Sequence, residues 1–242
     1  MKFLFLVSLL SQLLFSATSA QIEEYLSLSK ADSELIAIEQ VFDGMRSDED
    51  NSSQEINQIY TLYLEEHLSS NELETLLELY RTPIMQRYIV EMDGVISKDE
   101  MNIFINSLEE NPLTTERLDI IENILKHTVN DKQILSFYGS MTQRYRVKSK
   151  KGDEEKNATK EPTKQEQAFL DMMKKGAREN LLYGTQVLSI EEMRELNSAL
   201  NSSIISKASK VESDAMLHVM NVFIQSIASK PKKQIKENNQ SL

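Results

Sequence analysis

One stretch of this chain occurs twice. It reads LSSNELETLLELYRTPIMQR from Leu68 to Arg87, and LSIEEMRELNSALNSSIISK from Leu188 to Lys207. In each copy a glutamate follows a serine by three positions, as Ser69 with Glu72 and Ser189 with Glu192. This spacing is the signature of a capping box, in which the serine hydroxyl and the glutamate carboxylate each accept a backbone N–H of the first helical turn. Both copies therefore predict a short helix with the same starting point.

The apolar residues of the stretch lie on one side of that predicted helix. In the first copy the i, i+3, i+4, i+7 spacing is kept by Leu73, Leu76, Leu77 and Tyr80. The corresponding residues of the second copy are Met193, Leu196 and Leu200, with Asn197 in place of Leu77. A leucine before each cap, Leu68 or Leu188, is placed for a hydrophobic staple. We expect this face to be buried in both copies.

The stretch ends on the start of a second helix. Thr82 precedes Pro83, and proline is favoured at the first helical position because its missing N–H costs nothing there. Ser202 holds the matching cap position, whereas Ser203 replaces the proline. We interpret the stretch as a structural corner that fixes two helices at an angle. The alternative is an exposed binding patch around Tyr80 and Arg81, which the second copy does not keep.

The rest of the chain predicts an all-α fold. Glycine and proline are scarce, tryptophan is absent, and no segment combines sustained alternation with turn signals. The segment MNIFINSL from Met101 returns as MNVFIQSI from Met220, which extends the repeat. We therefore expect two tandem helical repeats, 21–111 and 117–229, of about five helices each. Charged loops near 46–54 and 148–164 interrupt both repeats, and the basic tail 230–242 is expected to be disordered.

The N-terminus has the pattern of a secretory signal peptide. Lys2 precedes an apolar run that ends at Phe15, and small residues lead to Ala20. This predicts a signal peptide over residues 1–20 and export to the periplasm, with secretion as the alternative. The apolar run is shorter than the roughly 20 residues that a membrane span needs. No second run of that kind follows, so no transmembrane segment is expected after the signal is removed.

The composition argues against several functional classes. The formal net charge is −11, which disfavours binding to nucleic acid, and the absence of cysteine removes thiolate chemistry. The three histidines form no H-E-x-x-H pair, and the scattered glycines form no phosphate loop. We therefore predict a protein that is not an enzyme, with no catalytic residues, no metal site and no cofactor.

Two asparagines are candidate glycosylation sites. Asn51 and Asn157 each begin an N-x-[ST] sequence and carry an acidic residue two positions earlier. Both lie in the predicted charged loops, at the same place in each repeat. The hypothesis is that they are modified in a host with the required transferase.

The first copy of the stretch resembles a bacterial family. Its Glu72-Leu73, Leu76, Tyr80-Arg81 and Thr82-Pro83 are similar to the core motif of the family called domain of unknown function 2059. The second copy keeps Glu192-Met193, Leu196 and Ser202, and departs from the motif at Ala199, Leu200 and Ser203. The resemblance implies a small, usually exported all-α domain, present here in two tandem copies. It implies no reaction.

These features lead to a hypothesis of non-catalytic binding. Apolar helix faces rich in methionine adapt to varied apolar partners, and Met172, Met173, Met216 and Met220 are candidates for such a surface. The expected partner is another periplasmic protein or a peptide. One alternative is a structural or envelope-stress protein without a specific ligand. Another is a hydrolase of envelope polymers, which requires two buried carboxylates with raised pKa values in one cleft.

Overall fold

The computed structural model describes residues 17–31, 35, 53–93, 97–146 and 162–228. This part of the chain contains ten α-helices and no β-strand, so the all-α prediction is confirmed there. In chain order, helices α1 to α10 are Ser19–Ser29, Ser53–His67, Ser70–Tyr80, Pro83–Asp93, Lys98–Ser107, Thr115–Thr128, Asp131–Arg146, Lys164–Gly184, Ile190–Leu200 and Ser203–Ala228.

Side-chain caps determine where several of these helices begin. Complete capping boxes precede α1, α3, α8 and α9, at Thr18, Ser69, Thr163 and Ser189. Each satisfies backbone N–H groups that have no partner within the helix. Helix α1 ends at Ser29, and its C-cap residue Lys30 has a φ of 62°, in the left-handed region. The helix boundaries thus follow from local hydrogen bonding.

The helix after the corner differs between the two halves of the chain. In the second half α10 is one helix of 26 residues. In the first half α4 ends at Asp93 and α5 begins at Lys98. Glycine inside a helix costs about 1 kcal/mol, so Asp93-Gly94 predicts a kink or interruption here. That prediction lies outside the described residues, because positions 94–96 are not among them.

The helices enclose two hydrophobic cores, and both cores draw on both halves of the chain. In the first core, α1, α2 and α3 pack with α10. In the second core, α6, α8 and α9 pack with α4. The helix that follows each corner therefore completes the core of the other half. The described parts of segments 21–111 and 117–229 are therefore packed into one another and do not form two separate domains.

Several predictions fall outside the described residues. These are the signal peptide up to residue 16, both candidate glycosylation sites at Asn51 and Asn157, and the tail 230–242. The predicted cleavage point after Ala20 lies in the first turn of α1. Within the described ranges, no helix combines the length and the apolar character needed to cross a membrane.

Candidate functional site

Both corners contain the predicted capping box. The Ser69 N–H donates to Glu72 Oε2 at 2.9 Å, and the Ser189 N–H donates to Glu192 Oε2 at 2.7 Å. In return the glutamate N–H groups donate to the serine Oγ atoms, at 3.4 Å for Glu72 and 3.2 Å for Glu192. The two helices that follow, α3 and α9, each have 11 residues.

The apolar face of each corner helix is buried as predicted. Leu73, Leu76, Met193 and Leu196 are fully inaccessible to solvent. The staple leucines Leu68 and Leu188 are also buried. Each copy of the stretch thus anchors its corner helix in one of the two cores.

The prediction for the Thr82 side chain is wrong in one respect. Helix α4 does begin at Pro83, but the Thr82 hydroxyl donates to the carbonyl oxygen of Leu79 at 2.7 Å. Carbonyls in the last turn of α3 lack intrahelical partners, and Thr82 satisfies one of them. Ser202 behaves as the predicted cap, since its Oγ accepts the Ile205 N–H at 3.4 Å.

Two ion pairs join the corners reciprocally. Glu72 of the first stretch pairs with Lys207, the last residue of the second stretch, and Glu192 pairs with Arg87, the last residue of the first. The hydrogen bond from Lys207, followed by the Ser69 N–H, lowers the pKa of Glu72 to about 2. The Ser189 N–H, with a smaller contribution from Arg87, lowers the pKa of Glu192. The capping glutamates thus also connect the two halves.

Of the two residues in the alternative exposed patch, Tyr80 is only partly exposed. Its ring is half-buried and lies edge-on to Tyr25, with ring centroids 5.5 Å apart. The turn between α3 and α4 leaves the Arg81 guanidinium outside, where it pairs with Glu24 of α1. Tyr80 therefore faces the interior.

Tyr80 lines a cavity that has a volume of about 600 Å³. The cavity lies where the end of α1, the turn between α6 and α7, and the middle of α8 and α10 meet. Its apolar lining includes Ile134, Phe137, Met173, Met216 and Leu217. Hydroxyl and amide groups complete the wall at Ser29, Thr128, Asn130, Gln133, Ser209 and Ser213.

A carboxylate and three tyrosines form a polar cluster at this cavity. Glu212, Tyr60 and Tyr80 line the cavity, and the Tyr25 hydroxyl donates to Glu212 Oε1 at 2.8 Å. Burial raises the pKa of Tyr25 well above its usual value, and the Glu212 carboxylate, Tyr80 and Tyr60 raise it further. A raised pKa keeps Tyr25 protonated, so it remains a hydrogen-bond donor to Glu212.

Sequence reasoning did not identify this cluster. No sequence motif singles out Tyr25, Tyr60 or Glu212. One signal was present in the alignment of the two stretches. When it is continued, Glu212 corresponds to Met92, so a charge stands where the other copy has an apolar side chain.

The four candidate methionines are not on one surface. Met173 and Met216 line the cavity, Met220 is buried in the first core, and Met172 is exposed. The adaptable apolar surface expected from the sequence is therefore represented by two side chains within the cavity.

The described residues give little support to metal binding or to carboxylate-dependent hydrolysis. No group of three or more potential ligands could hold a metal ion there. His67 stacks on Tyr63, and its Nδ1 lies 2.8 Å from the Tyr63 carbonyl oxygen. Among the described residues lining the cavity, Glu212 is the one carboxylate, so the pair that the hydrolase hypothesis needs does not meet there.

The chain was compared with known proteins. It matches no protein-family model, no curated protein and no solved structure.

Proposed function

We propose that this chain is an exported, non-catalytic helical protein that binds a protein or peptide segment in the cavity beside its first core. The observation that carries the proposal is the cavity itself. Its volume of about 600 Å³ lies within the range of roughly 300–1,000 Å³ that is typical of ligand sites. Its lining combines apolar side chains with a few convergent polar groups, as such sites do.

The position of the cavity supports a binding role. Thr128 and Asn130 at the turn between α6 and α7 are exposed, so the cavity has a rim in contact with solvent. Met173 and Met216 supply adaptable apolar contacts on α8 and α10. An extended segment entering along this rim would reach the Glu212 carboxylate on α10.

The proposal includes a duplicated origin and an exported location. The reciprocal pairs Glu72–Lys207 and Arg87–Glu192 favour two tandem copies of one unit, as the resemblance to domain of unknown function 2059 implies. Export is proposed from the signal-peptide pattern of residues 1–20. The N-terminal mass of the native protein tests it, since cleavage after Ala20 leaves Gln21 as the first residue. An intact N-terminus in cell extracts would contradict export.

The binding proposal is tested by filling the cavity. Ala177 of α8 lines it, and Ala177→Trp would occupy the space that a bound segment needs. Ala168, on the same helix but exposed and outside this cavity, provides the matched control Ala168→Trp. We expect cross-linking in periplasmic extract to recover the same partner with the natural chain and with Ala168→Trp, and to lose it with Ala177→Trp.

Circular dichroism must show that both tryptophan variants are folded. If Ala177→Trp recovers the same partner as the natural chain, the segment binds elsewhere. If no folded form recovers a reproducible partner, the structural or envelope-stress role without a specific ligand is favoured instead.

A further inference from the structure

The charge of the cavity indicates what it binds. Among the described lining residues, Glu212 is the one side chain with a formal charge. The Tyr25 hydroxyl holds one of its carboxylate oxygens. A carboxylate in a partly desolvated site attracts a cation more strongly than it would in water, because the local dielectric constant is lower.

The surrounding tyrosines suit the same class of ligand. Tyr60 and Tyr80 line the cavity together with Glu212, and Phe137 lies on its wall. The faces of aromatic rings attract ammonium and guanidinium groups. A carboxylate beside several aromatic rings therefore favours an organic cation over a neutral or anionic group of the same size.

A comparison of the two cores argues that this cluster is not needed for folding. When the chain is aligned on the recurring stretch, Tyr80 corresponds to Leu200 and Glu212 to Met92. Tyr25 lies three residues after the fully buried Ile22 on α1. Its counterpart is Ile124, which lies three residues after the fully buried Ile121 on α6. The three counterparts are thus all apolar: Leu200 and Ile124 are buried in the second core, and Met92 is half-buried beside Gly184 of α8.

Polar groups in a core cost free energy unless they are well paired, so an apolar set is the simpler solution for packing. The first core nevertheless has a carboxylate and tyrosines at the positions that border the cavity. This difference points to a ligand.

We propose that the cavity receives a lysine or arginine side chain of the bound segment. The ammonium or guanidinium group contacts Glu212 beside Tyr80, and the aliphatic stem lies along Ile134, Phe137 and Met216. The inference rests on the proposed function, because it names the chemistry that the peptide site selects.

The test uses three six-carbon probes whose head groups carry a positive charge, no charge or a negative charge. They are n-hexylammonium, n-hexanol and n-hexanoate, titrated calorimetrically into the purified full-length chain. We expect n-hexylammonium to bind about ten- to a hundredfold more tightly than n-hexanol, as a charge-assisted hydrogen bond would give, and n-hexanoate to bind most weakly. Equal binding of the ammonium and the alcohol, or no binding of either, would overturn the proposal.

Two variants assign the preference to the cluster. Glu212→Gln should reduce the affinity for n-hexylammonium to that for n-hexanol and leave the latter unchanged. The double variant Tyr25→Phe with Glu212→Met removes donor and acceptor together, which avoids an unpaired buried group. We expect it to melt no lower than the natural chain and to show no preference for the cation. A preference that survives both variants would refute the assignment.

A peptide pair tests the source of the cation. The acetylated and amidated tripeptide Leu-Lys-Leu should bind at least about tenfold more tightly than the same peptide with norleucine at its centre. A preference for n-hexylammonium without a preference for the lysine peptide would reject a peptide ligand. If Ala177→Trp still abolishes partner recovery while no probe shows a cation preference, the ligand class is wrong and the proposed binding site is retained.

Discussion

The two corners of this protein begin with the same local hydrogen bonds, but the side chains around them differ. Both have the serine–glutamate box, a fully buried leucine at Leu76 or Leu196, and an ion pair to the opposite half. After the shared part they diverge. Arg81 pairs with Glu24 by charge, whereas Asn201 donates to Asn197, which also accepts from Asn123.

The difference between the corners separates positions that hold the fold from positions that border the proposed binding site. The residues that recur are those that fix the backbone and anchor the helix. The residues that do not recur, above all Tyr80 and Glu212, border the cavity. In a chain with two related halves, the positions that differ between them are the better place to look for function.

The largest expected effect is the loss of stability when either buried leucine, Leu76 or Leu196, is removed. Leu76→Ala and Leu196→Ala each remove a fully buried side chain from matching positions of α3 and α9. We expect each to lower the free energy of unfolding by about 2–5 kcal/mol, measured by urea denaturation. Because each core contains helices from both halves, unfolding should remain a single transition. Two transitions, or one neutral variant, would contradict the shared architecture.

The capping glutamates should differ in their effect on acid stability. The pKa of Glu72 is lowered to about 2 from an ordinary value of 4.5. Its stabilisation is therefore present above pH 4.5 and is lost as the pH falls toward 2. Glu72→Gln should reduce this loss by about 1–2 kcal/mol, after allowance for its partial exposure. Glu192→Gln is the control, and its effect should be smaller because Arg87 contributes less to the lowered pKa of Glu192 than Lys207 does to that of Glu72.

The serine caps should contribute smaller and similar amounts. Ser69→Ala and Ser189→Ala each remove the hydroxyl that accepts a glutamate N–H. We expect each to lower the free energy of unfolding by about 1 kcal/mol. Ser69→Asp and Ser189→Asp, which keep an acceptor, should restore most of it in the same denaturation experiment. A loss at one corner alone would show that only that capping box supports the fold.

The corners could be predicted from the sequence because their interactions are local. A cap and its partner are three residues apart, and the buried face follows from the period of one helix. Pro83 likewise marks the start of α4. These features depend on little else in the chain, so residue types and spacing were sufficient.

The cavity could not be predicted because its residues come from distant segments. Tyr25 and Glu212 are separated by 187 positions and meet only because α10 completes the core that begins with α1. Helical periodicity gives the faces of each helix but not which helix lies against it. Two capped units are compatible with separate domains as well as with exchanged helices, and the sequence pattern does not distinguish them.

The smallest predicted effect tests the packing of α8 against α4. A Cβ added at Gly184 would lie 2.2 Å from the Met92 sulfur, whereas a Cβ at Gly176, on the same helix, would have no atom within 4 Å. Alanine favours a helix over glycine by about 1 kcal/mol. Gly176→Ala should therefore raise the free energy of unfolding by about 0.5–1 kcal/mol. Gly184→Ala should gain less than this or be destabilising, because the Met92 side chain must move.

Combining Gly184→Ala with Met92→Ala should remove the clash and restore part of the helical gain relative to Met92→Ala alone. If Gly184→Ala stabilises the chain as much as Gly176→Ala, α8 and α4 do not pack as closely as the structure shows, and the exchange of helices between the halves would be in doubt.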